Sequence, residues 1–346
     1  MDTTSRFLKV KPAEIAAVDL GQGVCFDPPM YLAPMEGVTD RTFRSLVLEQ
    51  NGSGAVGAAC TEFQRVTGVP LQTPKLQKEL GSRIDGVAVG IQLMGNQPEV
   101  VGESARNAAE AGADFIDLNF GCPAPRVFQH CAGSALLNDP PLLEAMIRAT
   151  VAASPIPVTA KIRGGVEHAD NLEEIAKRVE QAGAVLLTVH GRLRSDRYTD
   201  PPNWDYIVRA KSQVQIPVFG NGNADSPESI EQMFRDTGCD GVMVGRGAMR
   251  DPWLFKRWMA FRLGEPQPEW TQPDIQDWLQ QYHQRMSDGG TLPRHSLGRL
   301  KQAIKAFREG GLLPEGAVDT ALRCKAVEQL YLELGFRKAD DLPPKN

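Results

Sequence analysis

The stretch DFIDLNFG, residues 114–121, decides the fold. It is a short, mostly apolar run without the strict apolar–polar alternation of a strand that has one wet face, and it ends in Asn, Phe and Gly. Such a run suits a parallel strand covered on both sides. Working outward, seven further runs share the character: MYLAPMEG (30–37), AVGAACTEF (55–63), VAVGIQLMG (87–95), PVTAKIRGG (157–165), VLLTVHGR (185–192), PVFGNGN (217–223) and GVMVGRGA (241–248). Between most of them lie helix-like stretches, for example 98–112, 171–183 and 226–238, each closing on Gly after an amphipathic pattern. Eight strands with intervening helices over roughly 220 residues predict an α/β chain folded as a (β/α)8 TIM barrel. An open doubly wound sheet is the alternative, but no Gly-rich dinucleotide fingerprint follows the first strand.

Composition sets the outer limits. The 346 residues are 42% hydrophobic and 23% charged with a formal net charge of -5, which suits a soluble globular protein and argues against one coated in basic surface, though a local basic face can still bind nucleic acid. No run approaches the length of a membrane span, and the start lacks a secretory pattern, so a cytoplasmic protein with no membrane contact is expected, working as a monomer. The six cysteines (25, 60, 122, 131, 239 and 324) are scattered with no CxxC pair. That spacing predicts reduced thiols and no metal, even with His130 and Cys131 near Cys122.

The domain reading divides the chain into an N-terminal extension (1–28), surface-packed or mobile, a barrel (29–262), a Pro-rich linker (263–274) and a helical domain (275–346). Three helices are expected there, around 274–288, 294–309 and 316–334. The result is a TIM barrel followed by a small all-helical C-terminal domain.

In such a barrel chemistry gathers at the C-terminal ends of the strands. Those ends carry Met35 and Glu36, Glu62, Gln92 and Asn96, Asn119 and Cys122, Lys161 and Arg163, His190, Asn221, and Arg246. Any one of them alone reads as a helix cap or a local pair; polar groups at all eight ends point to a site. GNGN (220–223) and GRGA (245–248) add Gly-flanked backbone before the last helices, the usual barrel position for a phosphate. A lone His is more often a satisfied core group, but His190 in TVHGR stands at the barrel mouth.

These residues resemble a known family. APMEGVTDRTFR (33–44), TEF (61–63), QLMG (92–95), DLNFGCPAP (117–125), AGSALL (132–137), AKIR (160–163), VHGR (189–192), GNG (220–222) and VGRGA (244–248) are similar, in order and spacing, to the tRNA-dihydrouridine synthases. The resemblance implies an FMN-dependent reductase that saturates the C5–C6 bond of a D-loop uridine in tRNA, with NADPH or NADH as reductant. It implies that Pro34, Met35 and Glu36 line the flavin and that Gln92 and Lys161 contact its ring. His190 lies near ring or phosphate, and Asn221, Gly222, Asn223, Gly245 and Arg246 hold the phosphate end. Cys122 matches the proton donor and Asn119 the contact to the target uridine. A donor of this kind must stay a neutral thiol, so an unperturbed or raised pKa serves it. Cys131, on the same loop, is expected to pack.

A stacked uridine cannot enter a barrel mouth and must be extruded from the tRNA. Residues 294–308, RHSLGRLKQAIKAFR, predict a helix with an apolar stripe of Leu297, Leu300, Ile304 and Phe307. Its other face offers Arg294, Arg299, Lys301, Lys305 and Arg308 to phosphates; a merely solvated face is the bland alternative. Arg163 and Tyr198 are expected to contact RNA near the mouth, with Arg192, Arg194 and Arg197 beside them. RLKQ (299–302) and the helical tail resemble most the bacterial C-type subgroup acting at D-loop position 16. The rival readings are a flavoenzyme acting on a small molecule such as dihydroorotate or an enone, and an RNA-binding barrel without catalysis.

Overall fold

The computed structural model describes residues 14–336. Its strands are β1 (Val18–Gly21), β2 (Val24–Phe26), β3 (Met30–Leu32), β4 (Ala58–Cys60), β5 (Gln64–Arg65), β6 (Ala88–Met94), β7 (Ile116–Phe120), β8 (Val158–Arg163), β9 (Leu186–His190), β10 (Val218–Asn221) and β11 (Gly241–Val244). From β3 onward the strands pair in parallel in the order β4-β3-β11-β10-β9-β8-β7-β6, and β4 pairs with β6 to close the ring. The two-residue β5 hangs on the end of β6. The expected (β/α)8 barrel is therefore the observed one.

The helices are α1 (Arg41–Asn51), α2 (Thr73–Leu80), α3 (Pro98–Glu110), α4 (Pro125–Gln129), α5 (Pro140–Ala153), α6 (Leu172–Gln181), α7 (Asp205–Lys211), α8 (Pro227–Thr237), α9 (Arg246–Arg250), α10 (Leu254–Leu263), α11 (Gln272–Asp288), α12 (Pro293–Glu309), α13 (Glu315–Ala321) and α14 (Val327–Glu333). Clear end signals fix several of them. Asp40 caps α1 by accepting from the N–H groups of Thr42 and Phe43, and Ser226 and Ser229 form a reciprocal box at the start of α8.

The barrel interior is aromatic at its lower end. Phe26 packs against Tyr31, Phe115 and Phe219 with ring centroids 5.7, 5.1 and 6.0 Å apart. Gly90 and Gly241 make room for this, since a side chain on either would strike the rings of Phe115 and Phe219. Phe26 belongs to the hairpin β1–β2. The segment expected as an outlying extension thus ends as a plug: residues 14–28 lie on the barrel floor, while residues 1–13 fall outside the described part. Burial of Val18, Leu20 and Phe26 is what draws the hairpin in.

Of the last four helices, α11 packs on α1, α12 on α11 and α9, and α13 and α14 follow on α12 and α13 in turn. Phe43 meets Trp278 and Tyr282 at 5.7 and 6.1 Å, and Trp278 meets Phe307 at 5.2 Å. Between α10 and α11 the Pro-rich segment is fastened rather than loose, with Trp270 stacked on Trp253 at 4.2 Å. The stretch 316–334 is two short helices instead of one. Arg323 and Cys324 close tight turns onto Thr320 and Ala321, and Ala326 is extended. No Gly or Pro marks that break in the sequence. Among the described residues no helix is long and apolar enough to cross a membrane.

Candidate active site

The strand register lays three rows of side chains across the barrel. Gln92, Asp117 and Thr159 stand side by side on β6, β7 and β8. Asn119 and Lys161 form the next row, and Arg163, His190, Asn221 and Met243 continue around the mouth. Above them opens a cavity of about 510 Å³ lined by Pro34, Met35 and Glu36, by Asn119 and Cys122, and by Lys161, Arg163, His190, Arg192 and Tyr198. Asn221, Gly222, Asn223, Gly245 and Arg246 close its far side. Its size is that of a small-molecule or cofactor site.

Gln92 departs from the expectation. It is fully buried beneath the cavity, and both ends of its amide are engaged: Nε2 donates to Asp117 Oδ2 at 2.7 Å and Oε1 accepts from Asn119 Nδ2 at 2.7 Å. Its place is below the site rather than on the lining.

The Cys122 loop is held from every side. Asn119 Oδ1 accepts from the N–H groups of Gly121 and Cys122 at 3.0 and 2.9 Å, and Ser134 Oγ donates to Cys122 O at 2.7 Å. Arg163 Nε donates to Gly121 O at 2.8 Å and its Nη1 to Leu193 O at 2.7 Å. Gly133, at φ +60°, packs so closely against the loop that a Cβ there would lie 3.0 Å from that of Cys122. Burial, with the negative charge of Glu36 adding to it, pushes the Cys122 thiol up from its ordinary value, against the pull of the Ala124 N–H. The thiol is held protonated.

Arg163 was expected to contact RNA. At 2% exposure it is instead a tie between the loops after β7 and β9, with Nη2 donating to Tyr198 Oη at 3.3 Å. Tyr198 is half exposed, lies 5.5 Å from the Arg163 guanidinium and 5.3 Å from that of Arg246, and stacks above His190.

The other side of the cavity gathers cations. Arg192 is fully buried and donates to Asp200 O, to Asn223 Oδ1 at 2.9 Å and to His190 Nε2 at 3.2 Å. Arg246 reaches the same Asn223 Oδ1 at 2.9 Å and Tyr198 O at 3.0 Å. Among the described residues neither guanidinium has a carboxylate partner within salt-bridge distance. Burial above all, and then Lys161 and the neighbouring arginines, hold His190 well below its usual range, so the ring is neutral. With Nε2 accepting from Arg192, its proton sits on Nδ1. Burial, aided by the Arg163 charge, lowers Lys161 to about 8, and no hydrogen bond to its Nζ is formed among the described residues. Asn221 donates to Met243 O at 2.8 Å and ties β10 to β11.

The basic helix α12 is only partly free. Leu300, Ile304 and Phe307 are buried as expected. Arg299, however, donates to Gly37 O and lies 3.5 Å from Asp40, so it docks the helix on the loop after β3. Arg308 pairs with Asp319. Arg294, Lys301 and Lys305 form no ion pair among the described residues. Cys131 is exposed rather than packed, and its backbone is left-handed at φ +50°.

Sequence reasoning missed Asp117, Ser134 and the burial of Arg192. Asp117 and Ser134 sat inside quoted motifs, but only the register shows what they touch.

In fold the barrel is similar to histamine dehydrogenase from Rhizobium sp. 4-9, with a TM-score of 0.57 at 14% identity over 72% of this chain and 48% of that one. In sequence it is 35% identical over 314 residues to tRNA-dihydrouridine synthase B of Pseudomonas aeruginosa, covering 88% of this chain and 93% of that protein. It is 39% identical over 230 residues to tRNA-dihydrouridine synthase B of Xanthomonas campestris, covering 66% and 68%. These relatives bear the B name, so the C-type leaning is not carried forward. The family model described as Dihydrouridine synthase (Dus) matches residues 31–309, and the chain belongs to that family.

Proposed function

We propose that the cavity binds FMN and that the protein reduces the C5–C6 bond of a D-loop uridine in tRNA, with NADPH or NADH as reductant. One observation carries this reading: Lys161, Arg192 and Arg246 converge, without carboxylate partners, on the same cavity as a protonated thiol. Arg192 is fully buried and Lys161 and Arg246 partly so; like charges gathered without a counter-ion are costly, and an anionic ligand removes the cost. A flavin mononucleotide fits that donor set, with its phosphate at Arg192, Arg246 and the backbone around Gly222 and Gly245, and its ring beside Lys161, Met35 and Pro34.

Bound flavin, once reduced, supplies the hydride equivalent. The chain's own residues do the rest. Cys122 Sγ gives the proton that the neighbouring carbon of the uridine requires, and its raised pKa keeps that proton available at neutral pH. Asn119 orients the base beside it. Lys161 stays cationic when a negative charge is set against it. Tyr198, exposed at the rim, offers a face on which an extruded base can stack. Lys301, Lys305 and Arg294 on α12 meet the RNA backbone, while Arg299 holds the helix in place.

The test is direct. The cofactor released from purified protein should chromatograph as FMN, and NADPH consumption should depend on unmodified tRNA. A colourless protein that still binds tRNA would leave an RNA-binding barrel, and NADPH-reducible flavin indifferent to tRNA would leave a small-molecule enzyme.

A further inference from the structure

The hydrogen bonds beneath the cavity run in one direction. The N–H groups of Gly121 and Cys122 can only donate, so the atom of Asn119 that meets them is an oxygen. That turns Nδ2 of Asn119 towards Gln92, which must then present Oε1. Gln92 Nε2 is left facing Asp117, and Thr159 Oγ1 also donates to Asp117, at 2.7 Å. The polarity of the whole chain is therefore forced from the thiol loop downward, and it requires an acceptor at its end. Asp117, fully buried, is that acceptor.

We propose that Asp117 is a positioning residue for the Cys122 loop, acting through Gln92 and Asn119 to fix the direction in which the loop's backbone is held. It is fully buried and does not line the cavity. Its consequence for turnover rests on Cys122 being the proton donor, but the relay itself is tested without turnover.

Because the relay is directional, it can be reversed. Asn119→Asp keeps an oxygen for Gly121 and Cys122, but its second oxygen then faces Gln92 Oε1; turning Gln92 over only moves the clash to Asp117. Adding Asp117→Asn cures this. The amide introduced at position 117 donates to Gln92 Oε1, Gln92 Nε2 donates to the carboxylate at position 119, and Thr159 still has an acceptor. Asp117→Asn alone is mild, since Thr159 Oγ1 also lies 3.3 Å from Ile116 O and can turn to it.

The experiment measures thermal stability and the rate at which iodoacetamide labels Cys122, resolved from exposed Cys25 and Cys131 by peptide mass spectrometry. Asn119→Asp should loosen the loop, lower the melting temperature by several degrees and speed labelling about tenfold by opening the half-buried thiol to the reagent, an effect that must outweigh the new carboxylate's tendency to raise the thiol pKa. The double variant should return the melting temperature to within about a degree of wild type and the labelling rate to within about twofold. Should Asn119→Asp fail to fold, recovery of folded protein in the double variant is the same rescue. In a Gln92→Met background the rescue should vanish. No rescue, or a rescue that persists without Gln92, would overturn the relay, the latter by showing simple repulsion between two carboxylates. A colourless protein that shows the rescue would sink the flavin reading and leave the relay standing.

Discussion

The two sides of the barrel mouth are built in opposite ways. Around β7 the backbone of the Cys122 loop is held by partners: Asn119, Ser134 and Arg163 account for it, and Gln92 and Asp117 account for Asn119. Around β9 to β11, Arg192 and Arg246 share one amide oxygen and have no carboxylate partner among the described residues. A proton donor must be in place before its substrate arrives, so its surroundings are complete. A site for an anion is finished only by the anion, so its surroundings are not.

Removing the thiol should break that contrast most severely. Cys122→Ala should slow dihydrouridine formation by about 10²- to 10⁴-fold while the flavin stays bound, measured in single-turnover assays with the reduced protein. Full turnover in that variant would take the proton-donor role from Cys122.

Next in size is the unfinished side. Arg246→Ala should weaken FMN binding by about 1.5–3 kcal/mol, or about 10- to 150-fold, with little change in the melting temperature of the apoprotein. The apoprotein is spared because Arg192 then loses a like-charged neighbour. An equal loss of apoprotein stability would mean that Arg246 is structural.

A smaller effect comes from Lys161, whose pKa is lowered to about 8 by burial. Affinity for the reduced flavin, whose ring is anionic, should fall above that pH, by up to about tenfold per pH unit, and Lys161→Met should flatten the profile. The sign for stability is opposite: between about pH 8 and the ordinary lysine value the unfolded chain binds more protons, so the apoprotein gains stability as pH rises. The smallest effect is on α12. Lys301→Ala with Lys305→Ala should reduce the slope of log affinity for tRNA against log salt by about 1–2, while Arg299→Ala should disturb docking of the helix and leave the slope nearly unchanged.

The barrel was legible because its strands are continuous apolar runs and its loops carry the chemistry; DFIDLNFG, AKIR and TVHGR each end where the cavity begins. What escaped was contact across the register. Gln92 looks like a ligand-facing residue in QLMG until it is seen beside Asp117, and Arg163 looks like an RNA contact until Gly121 and Leu193 are found on its nitrogens. Arg299 and Lys301 look alike on a helical wheel, yet one is tied to Gly37 and the other is not. Residues 14–28 carried no motif at all; their role is the volume of Phe26 under three other rings.

The most direct measurement maps dihydrouridine by nucleotide position in unmodified tRNA after incubation with NADPH and either wild type or Cys122→Ala. New dihydrouridine at a D-loop position with the wild type, and none at matched times from a Cys122→Ala protein that is still yellow, is the predicted result. No dihydrouridine from a yellow, NADPH-reducible wild type would contradict the account.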